Sequence, residues 1–310
     1  MIIPEIEQYT VKGYVDGMEP QAQALFSSAF GGRSFHETSW EWQFFQNPCR
    51  RKYHVTLWDG DILVALNALN SVYAYWNQKR IVMANSGTTM AREDYPGVSL
   101  QLFREARHFY PDIEFIYGFP NKNSYHITTK FCGHHYIGDI AFWTRSPEEM
   151  EINQHIHPTQ RFDSRYNDVF RPLISQHVLI AEKSAKYLNW RFVDKPDSGY
   201  MCYGFETEDG TPKGYVVMNT YQEGSQKHLQ IIDCVAPDKE VFKALIQFAV
   251  SMGAKDNCDM VKLWMTSKYF QEPLKQLGFE YGYQPFRMTM WDHTYPIEDL
   301  YFTMADSDVF

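Results

Sequence analysis

Two short runs of residues hold most of the chemistry that this 310-residue chain offers. In the first, Arg92 precedes Tyr95-Pro-Gly97-Val98-Ser99-Leu100, and the apolar spacing of Val98, Leu102, Phe103, Ala106, Phe109 and Tyr110 starts a helix there. A helix start offers unpaired N–H groups and a partial positive charge. Small residues and a nearby cation at that point suit an anion such as a pyrophosphate. The second run is Phe115-Ile-Tyr-Gly-Phe-Pro-Asn121-Lys-Asn123-Ser-Tyr125, a short buried strand stopped by Pro120 and followed by a helix. The corresponding helix start in the second half of the chain reads Asp233-Cys-Val-Ala-Pro237-Asp238-Lys-Glu240, where carboxylates would repel a phosphate. No Gly-x-Ser-x-Gly elbow, Walker loop or His-Glu-x-x-His motif is present. His155-Ile-His157 has no neighbouring Cys or second His pair, so a surface loop is expected there and no metal. His134-His135 follows Gly133 and reads as a helix end or a partly buried strand start.

The elements that must position these residues are bounded by composition. The chain is 44% hydrophobic and 16% aromatic, which excludes disorder and coiled-coil designs over most of its length. A net charge of −9 argues against gripping nucleic-acid phosphates and for a small-molecule partner. Pro4, Glu5 and Glu7 stand where a signal peptide needs basic and then apolar residues. The longest apolar stretch, Ile62 to Leu69, falls far short of the ~20 residues of a membrane span. Five cysteines without close pairing point to a reducing compartment. A soluble cytoplasmic protein is the expectation, and association into a homo-oligomer is left open.

The chain also repeats itself. Trp42-Gln-Phe-Phe-Gln-Asn-Pro48 echoes Trp190-Arg-Phe-Val-Asp-Lys-Pro196, and each run leads into a strand, an Asp-Gly turn (Asp59-Gly60, Asp209-Gly210) and another strand. Each half then ends a helix with Gly (Gly133, Gly278). The first half predicts strands at 53–58, 62–75, 81–89, 115–119 and 136–143, with helices at 98–110 and 123–131. The second predicts strands at 200–206, 214–221, 229–236, 260–265 and 286–291, with helices at 239–252 and near 274–277. Ser146 to Ser164 has linker composition. Trp42 and Trp190 are read as core anchors of the sheets.

Mixed strands followed by strand–helix–strand–helix–strand resemble the Gcn5-related N-acetyltransferase superfamily. The stretches Gly87-Thr-Thr-Met90 to Ser99 and Gly118-Phe-Pro-Asn121-x-Asn123-Ser-Tyr125 are similar to its donor-binding segments, the latter as found in bacterial proteins associated with surface-polysaccharide synthesis. The tail Asp306-Ser-Asp308-Val-Phe310 looks like the end of such proteins. The resemblance implies an α/β fold of two tandem domains, each a mixed, largely antiparallel sheet with flanking helices. They would span 1–148 and 165–310, joined by a linker at 149–164. It implies transfer from acetyl-CoA or another acyl-CoA, without a metal, to a primary amine such as an amino sugar or sugar nucleotide. Met90, Ala91, Arg92, Gly97, Val98, Ser99 and Leu100 would then hold the donor, with Asn121 and Asn123 either joining them or capping the helix. The superfamily's phosphate turn is altered here, with Pro96, Ser99 and Gln101 replacing a basic and two small residues. Tyr125 is the candidate acid, set against a packing role. Asp233 is a candidate base pointing into a cleft, with pairing to Lys227 or Arg287 as the alternative. Asp306 and Asp308 would fold back over the acceptor side or stand as a solvated terminus. The competing classes are a binding or scaffold protein that has lost cofactor affinity, and aminoacyl-tRNA-dependent peptide-bridge synthesis, which the −9 charge disfavours.

Overall fold

A computed structural model of the chain describes residues 9–31, 37–49, 52–196 and 198–307. Its elements run β1 (Thr10–Lys12), α1 (Glu19–Ala29), α2 (Glu37–Phe44), β2 (His54–Asp59), β3 (Ile62–Trp76), β4 (Lys79–Ala91), α3 (Val98–Phe109), β5 (Phe115–Gly118), α4 (Lys122–Phe131) and β6 (His134–Arg145). They continue β7 (Ile156–Pro158), α5 (Arg171–Ile174), β8 (Leu179–Ala181), α6 (Ala185–Leu188), β9 (Met201–Glu206), β10 (Pro212–Glu223), β11 (Gln226–Val235), α7 (Lys239–Lys255), β12 (Met260–Leu263), α8 (Lys268–Gln276), β13 (Glu280–Trp291) and β14 (Leu300–Tyr301).

Two compact units result, and neither is a linear half of the chain. Unit 1 is residues 1–72, 82–136 and 288–294; unit 2 is 73–81, 137–287 and 295–310. In unit 1 the strand order is β1-β2-β3-β4-β5 followed by the end of β13. Asp59-Gly60 makes the β2–β3 turn as its sequence predicts, with Gly60 at φ +58, a region that costs glycine little. Helices cover both faces, because alternate residues of the strands are apolar on both sides. Val98, Leu102 and Ala106 of α3, with Tyr110 just past its end, pack with Val55, Leu57, Ala84 and Ile116. Met18, Ala22, Leu25, Trp40 and Phe44 of the α1/α2 side pack with Trp58, Leu66, Ala68 and Met90. Trp58 lies on the second face by strand alternation, and the register shift beside it leaves Val64 as an extra residue of β3, so that Val64 and Ala65 both join the α3 side.

Unit 2 has the order β6-β12-β11-β10-β9-β7, with β8 beside β14 and the outer end of β3. Its long helix α7 buries Phe242, Leu245, Ile246 and Ala249 against one face of the sheet. The approach is close: a Cβ added at Gly253 would lie 2.9 Å from Val261 Cγ2, so any larger residue there forces the helix outward. Trp42 and Trp190 are both buried in the core of their own unit.

The expected linker is partly sheet. Ile156–Pro158 is strand β7, paired antiparallel with Tyr203–Phe205 of β9, and Ile156 is buried. His157 therefore belongs to a strand and not to a surface loop, while His155 packs its ring against Phe205 at 5.6 Å.

Candidate functional site

In unit 1, β4 and β5 run parallel only over Met83–Asn85 and Phe115–Tyr117. Beyond that the strands part: β4 continues to Ala91, while β5 stops at Gly118 before Pro120. Asn85 is the last residue of β4 paired with β5. It is 4% exposed, and neither Oδ1 nor Nδ2 has a hydrogen-bond partner within the protein. A buried amide left this way costs about 1–3 kcal/mol, so its place at the fork suits a polar ligand group. The sequence reading passed over it. The available signal was an amide in an otherwise apolar run, Ile81-Val-Met-Ala-Asn85.

The expected donor residues lie further along β4 and at the start of α3. Met90 is 2% exposed and packs into the α1/α2 core, and Val98 packs into the α3 core, so both side chains belong to the core. Ala91 is half-buried beside the α3 cluster. Gly97 adopts φ +87, and its carbonyl accepts from the N–H groups of Leu100 (3.1 Å) and Gln101 (3.4 Å), starting α3. Ser99 and Leu100 are half-buried in the first turn. Arg92 is exposed, its N–H donates to Val64 O, and its guanidinium grips both carboxylate oxygens of Asp94 at 3.1 Å. The cation is thus present but already shared.

At the start of α4 the two readings of Asn121 resolve toward capping. Its Oδ1 accepts from Ser124 N at 2.9 Å and its carbonyl from Tyr125 N at 3.0 Å. Asn123 is the second residue of that helix. Tyr125 is half-buried, with its ring edge-on to His126 and to Tyr136. Beside the end of β5, Thr289 of β13 pairs with Gly118, and its Oγ1 lies 3.2 Å from His134 Nδ1. Burial lowers the His134 pKa to about 4, so the imidazole is neutral at pH 7. His134 starts β6 and is buried, as one reading of its sequence position expected.

Unit 2 has the same kind of fork, and there the chain fills it. β11 and β12 pair in parallel as far as Ile231 and Leu263. Past them, Tyr301 OH donates to Cys234 O at 2.5 Å, Thr266 Oγ1 donates to Leu300 O at 2.6 Å, and Phe302 N donates to Thr266 Oγ1 at 2.9 Å. The residue at the fork is apolar Ile231, 1% exposed, where unit 1 has Asn85. The α7 start carries its own anion: Asp238 accepts from Glu240 N at 3.0 Å and Val241 N at 2.8 Å.

The same segment corrects two expectations. Asp233 faces no cleft. Its side chain is fully buried, accepts from Tyr215 OH and Thr303 Oγ1 at 2.9 Å each, and lies 3.4 Å from Lys183 Nζ. Its cation is therefore Lys183, not Lys227 or Arg287; Lys227 Nζ instead donates to Asp256 O. Asp306 is not a solvated tail residue. It is buried, closes a capping box with Thr303, and takes the other side of Lys183 at 3.0 Å. Burial raises the Asp233 pKa while its two carboxylate neighbours hold Lys183 charged. Asp308 lies outside the described residues.

No protein-family model and no curated protein matches the sequence. Solved structures do. A GCN5-related N-acetyltransferase from Anabaena variabilis superposes with a TM-score of 0.69 at 13% identity, over 91% of this chain and 72% of that one. A probable N-acyltransferase from Enterococcus faecalis gives 0.66 at 14% identity, with the same coverages. Saccharomyces cerevisiae N-myristoyltransferase, solved with bound myristoyl-CoA and inhibitors, gives 0.61 at 11% identity over 95% and 82%. At such identities the likeness is one of fold, and the fold of this chain is that of the GCN5-related N-acetyltransferases and N-acyltransferases.

Proposed function

We propose that the protein transfers an acyl group from acyl-CoA to a primary amine, with the donor held in unit 1 where β4 and β5 part. One observation carries this reading. Of the two forks, the one in unit 2 is filled by Tyr301 and Phe302, whereas the one in unit 1 ends in the unpartnered amide of Asn85. The free edge of β4 beyond Asn85 offers backbone groups to an amide-rich pantetheine arm. The Gly97–Ser99 turn at the start of α3 suits the pyrophosphate. The amine attacks the thioester carbonyl, the tetrahedral adduct expels the CoA thiolate, and the proton lost by the amine is available to that thiolate. Fold supplies no acceptor. An amino sugar is the acceptor class we favour from the sequence resemblance of Gly118–Tyr125, and the two units are read as tandem domains from the Trp42/Trp190 and Gly133/Gly278 repeat.

A specific feature favours the competing reading, a binding protein of the same fold that has lost its donor. Pro96 removes an N–H from the turn, and Arg92 is engaged by Asp94. Thermal shift separates the two, because a ligand that binds only the folded state raises its apparent stability. A rise with acetyl-CoA or a longer acyl-CoA supports the transferase. No shift with any of them, or with free CoA, at millimolar concentration supports the scaffold.

A further inference from the structure

Unit 2 contains a cavity of about 360 Å³ on the face of its sheet away from α7. The orientation follows from alternation: Val261 and Leu229 turn toward Gly253 of α7, so Lys262 and Gln230 turn the other way. Three adjacent strands place Asn219, Gln230 and Lys262 in register across its floor, since Asn219 pairs with Gln230 and Gln230 with Lys262. Gln230 is 4% exposed yet lines the cavity, and Asn219 Oδ1 is buried without a hydrogen-bond partner. Polar residues in the middle of β10, β11 and β12 serve no packing purpose on that row, because the neighbouring residues Met218, Leu229, Ile231, Val261 and Leu263 already supply the apolar face.

The charges around the cavity are largely matched. Lys262 Nζ lies 3.2 Å from Glu223 Oε2, and Gln284 Nε2 donates to Glu223 Oε1 at 3.1 Å. Lys195 Nζ donates to Tyr200 OH at 3.0 Å, and Arg191 donates to the same hydroxyl at 3.2 Å. Burial and the Arg191 charge lower the Lys195 pKa, which weakens its charge at the edge of the cavity. Apolar walls come from Phe142 and Phe286, with the Tyr200 and Tyr221 rings at the mouth. The volume lies in the range of small-ligand sites.

We propose that this cavity binds a hydroxyl-rich ligand of saccharide type. Side-chain amides donate and accept at once, as a sugar hydroxyl does, and a paired Lys–Glu couple offers both functions without demanding a charged ligand. The aromatic walls suit the C–H faces of a pyranose ring, whose hydrogens carry the positive partial charge that a ring face attracts. The identification of this ligand with the amine acceptor rests on the transferase reading; its binding does not.

The test is saturation-transfer NMR on the full chain with glucosamine and methyl β-glucoside as probes, and free lysine as an amine without the ring. Transfer to both sugars' ring protons is expected, and little to lysine. Gln230→Leu, nearly isosteric, should weaken binding by about tenfold while the protein still melts cooperatively. Asn219→Leu serves the same purpose if Gln230→Leu does not fold. No transfer to either sugar at tens of millimolar, equal transfer to lysine, or unchanged binding in the folded variants overturns the proposal. Sugar binding by a protein that shows no shift with acyl-CoA would leave this site standing and remove the transferase.

Discussion

Replacing Asp233 by Asn separates a structural carboxylate from a catalytic one. In the native fold Lys183 is fully buried between Asp233 at 3.4 Å and Asp306 at 3.0 Å, and Tyr215 and Thr303 complete the Asp233 shell. Breaking a buried ion pair on one side typically costs about 3–5 kcal/mol, because a charge is stranded away from water. Lys183→Met strands two carboxylates and should reach that full range, a large share of the ~5–15 kcal/mol that holds a domain together. Asp233→Asn leaves Asp306 to neutralise Lys183 and keeps one acceptor oxygen, so it should cost less, about 2–3 kcal/mol. The double variant should be more stable than Lys183→Met alone. The assay is urea unfolding of each variant, together with acyl transfer measured per folded molecule. The melts should move in that order, with a turnover per folded Asp233→Asn molecule close to the parent's. A variant that unfolds like the parent but has lost turnover would refute the structural role and return Asp233 to the role of base.

Further outcomes follow from the same geometry. Asn85→Leu should leave stability unchanged or raise it by about 1 kcal/mol, since an unpartnered amide is lost, while weakening acyl-CoA binding; a clear fall in stability would show that the amide has a structural role. Asp94→Asn should release Arg92 and tighten CoA, and Arg92→Ala should loosen it severalfold, both read by calorimetry. His54 sits among Tyr14, Trp40 and Phe44 with neither ring nitrogen hydrogen-bonded, and burial pushes its pKa down to about 3. The unfolded chain therefore binds a proton below pH ~6.5 that the folded chain refuses. Stability should fall with acidification by up to about 1.4 kcal/mol per pH unit between 6.5 and 3 from this group. Denaturant melts of His54→Phe should show a shallower acid slope than the parent.

Local patterns in the sequence anticipated the elements that local physics determines. The β2–β3 hairpin follows from its Asp-Gly turn, and β3–β4 from Asn77-Gln78, whose φ values of +46 and +67 are those of a tight hairpin turn. The α3 and α7 spacings gave helices within a few residues of those observed. Three-residue strands such as β7 and β8 have no period to read, and a Pro and two His hid β7 inside linker composition. Strand partners were less legible still. Residues 137–145 of β6 and 288–291 of β13 fall in different units from those that linear order suggests, because pairing across roughly 150 residues leaves no local trace. Asp233 was misplaced for the same reason. An acid in an apolar strand signals either a site or a buried pair, and its partner Lys183 lies 50 residues earlier in an unpatterned stretch. The Gly97–Ser99 turn is legible from its small residues, whereas Asn85 is hidden among the apolar residues of β4.

The central claim is that the donor sits at the β4–β5 fork and the α3 start, and acetyl-CoA titration of Ser99→Glu beside Glu240→Lys tests it most directly. A carboxylate placed in the first turn of α3 would face the pyrophosphate, whereas Glu240 belongs to a helix start already capped by Asp238. Calorimetry should show binding abolished in folded Ser99→Glu and nearly unchanged in Glu240→Lys. Intact affinity in Ser99→Glu, or its loss in Glu240→Lys, would contradict the account and move the donor away from unit 1.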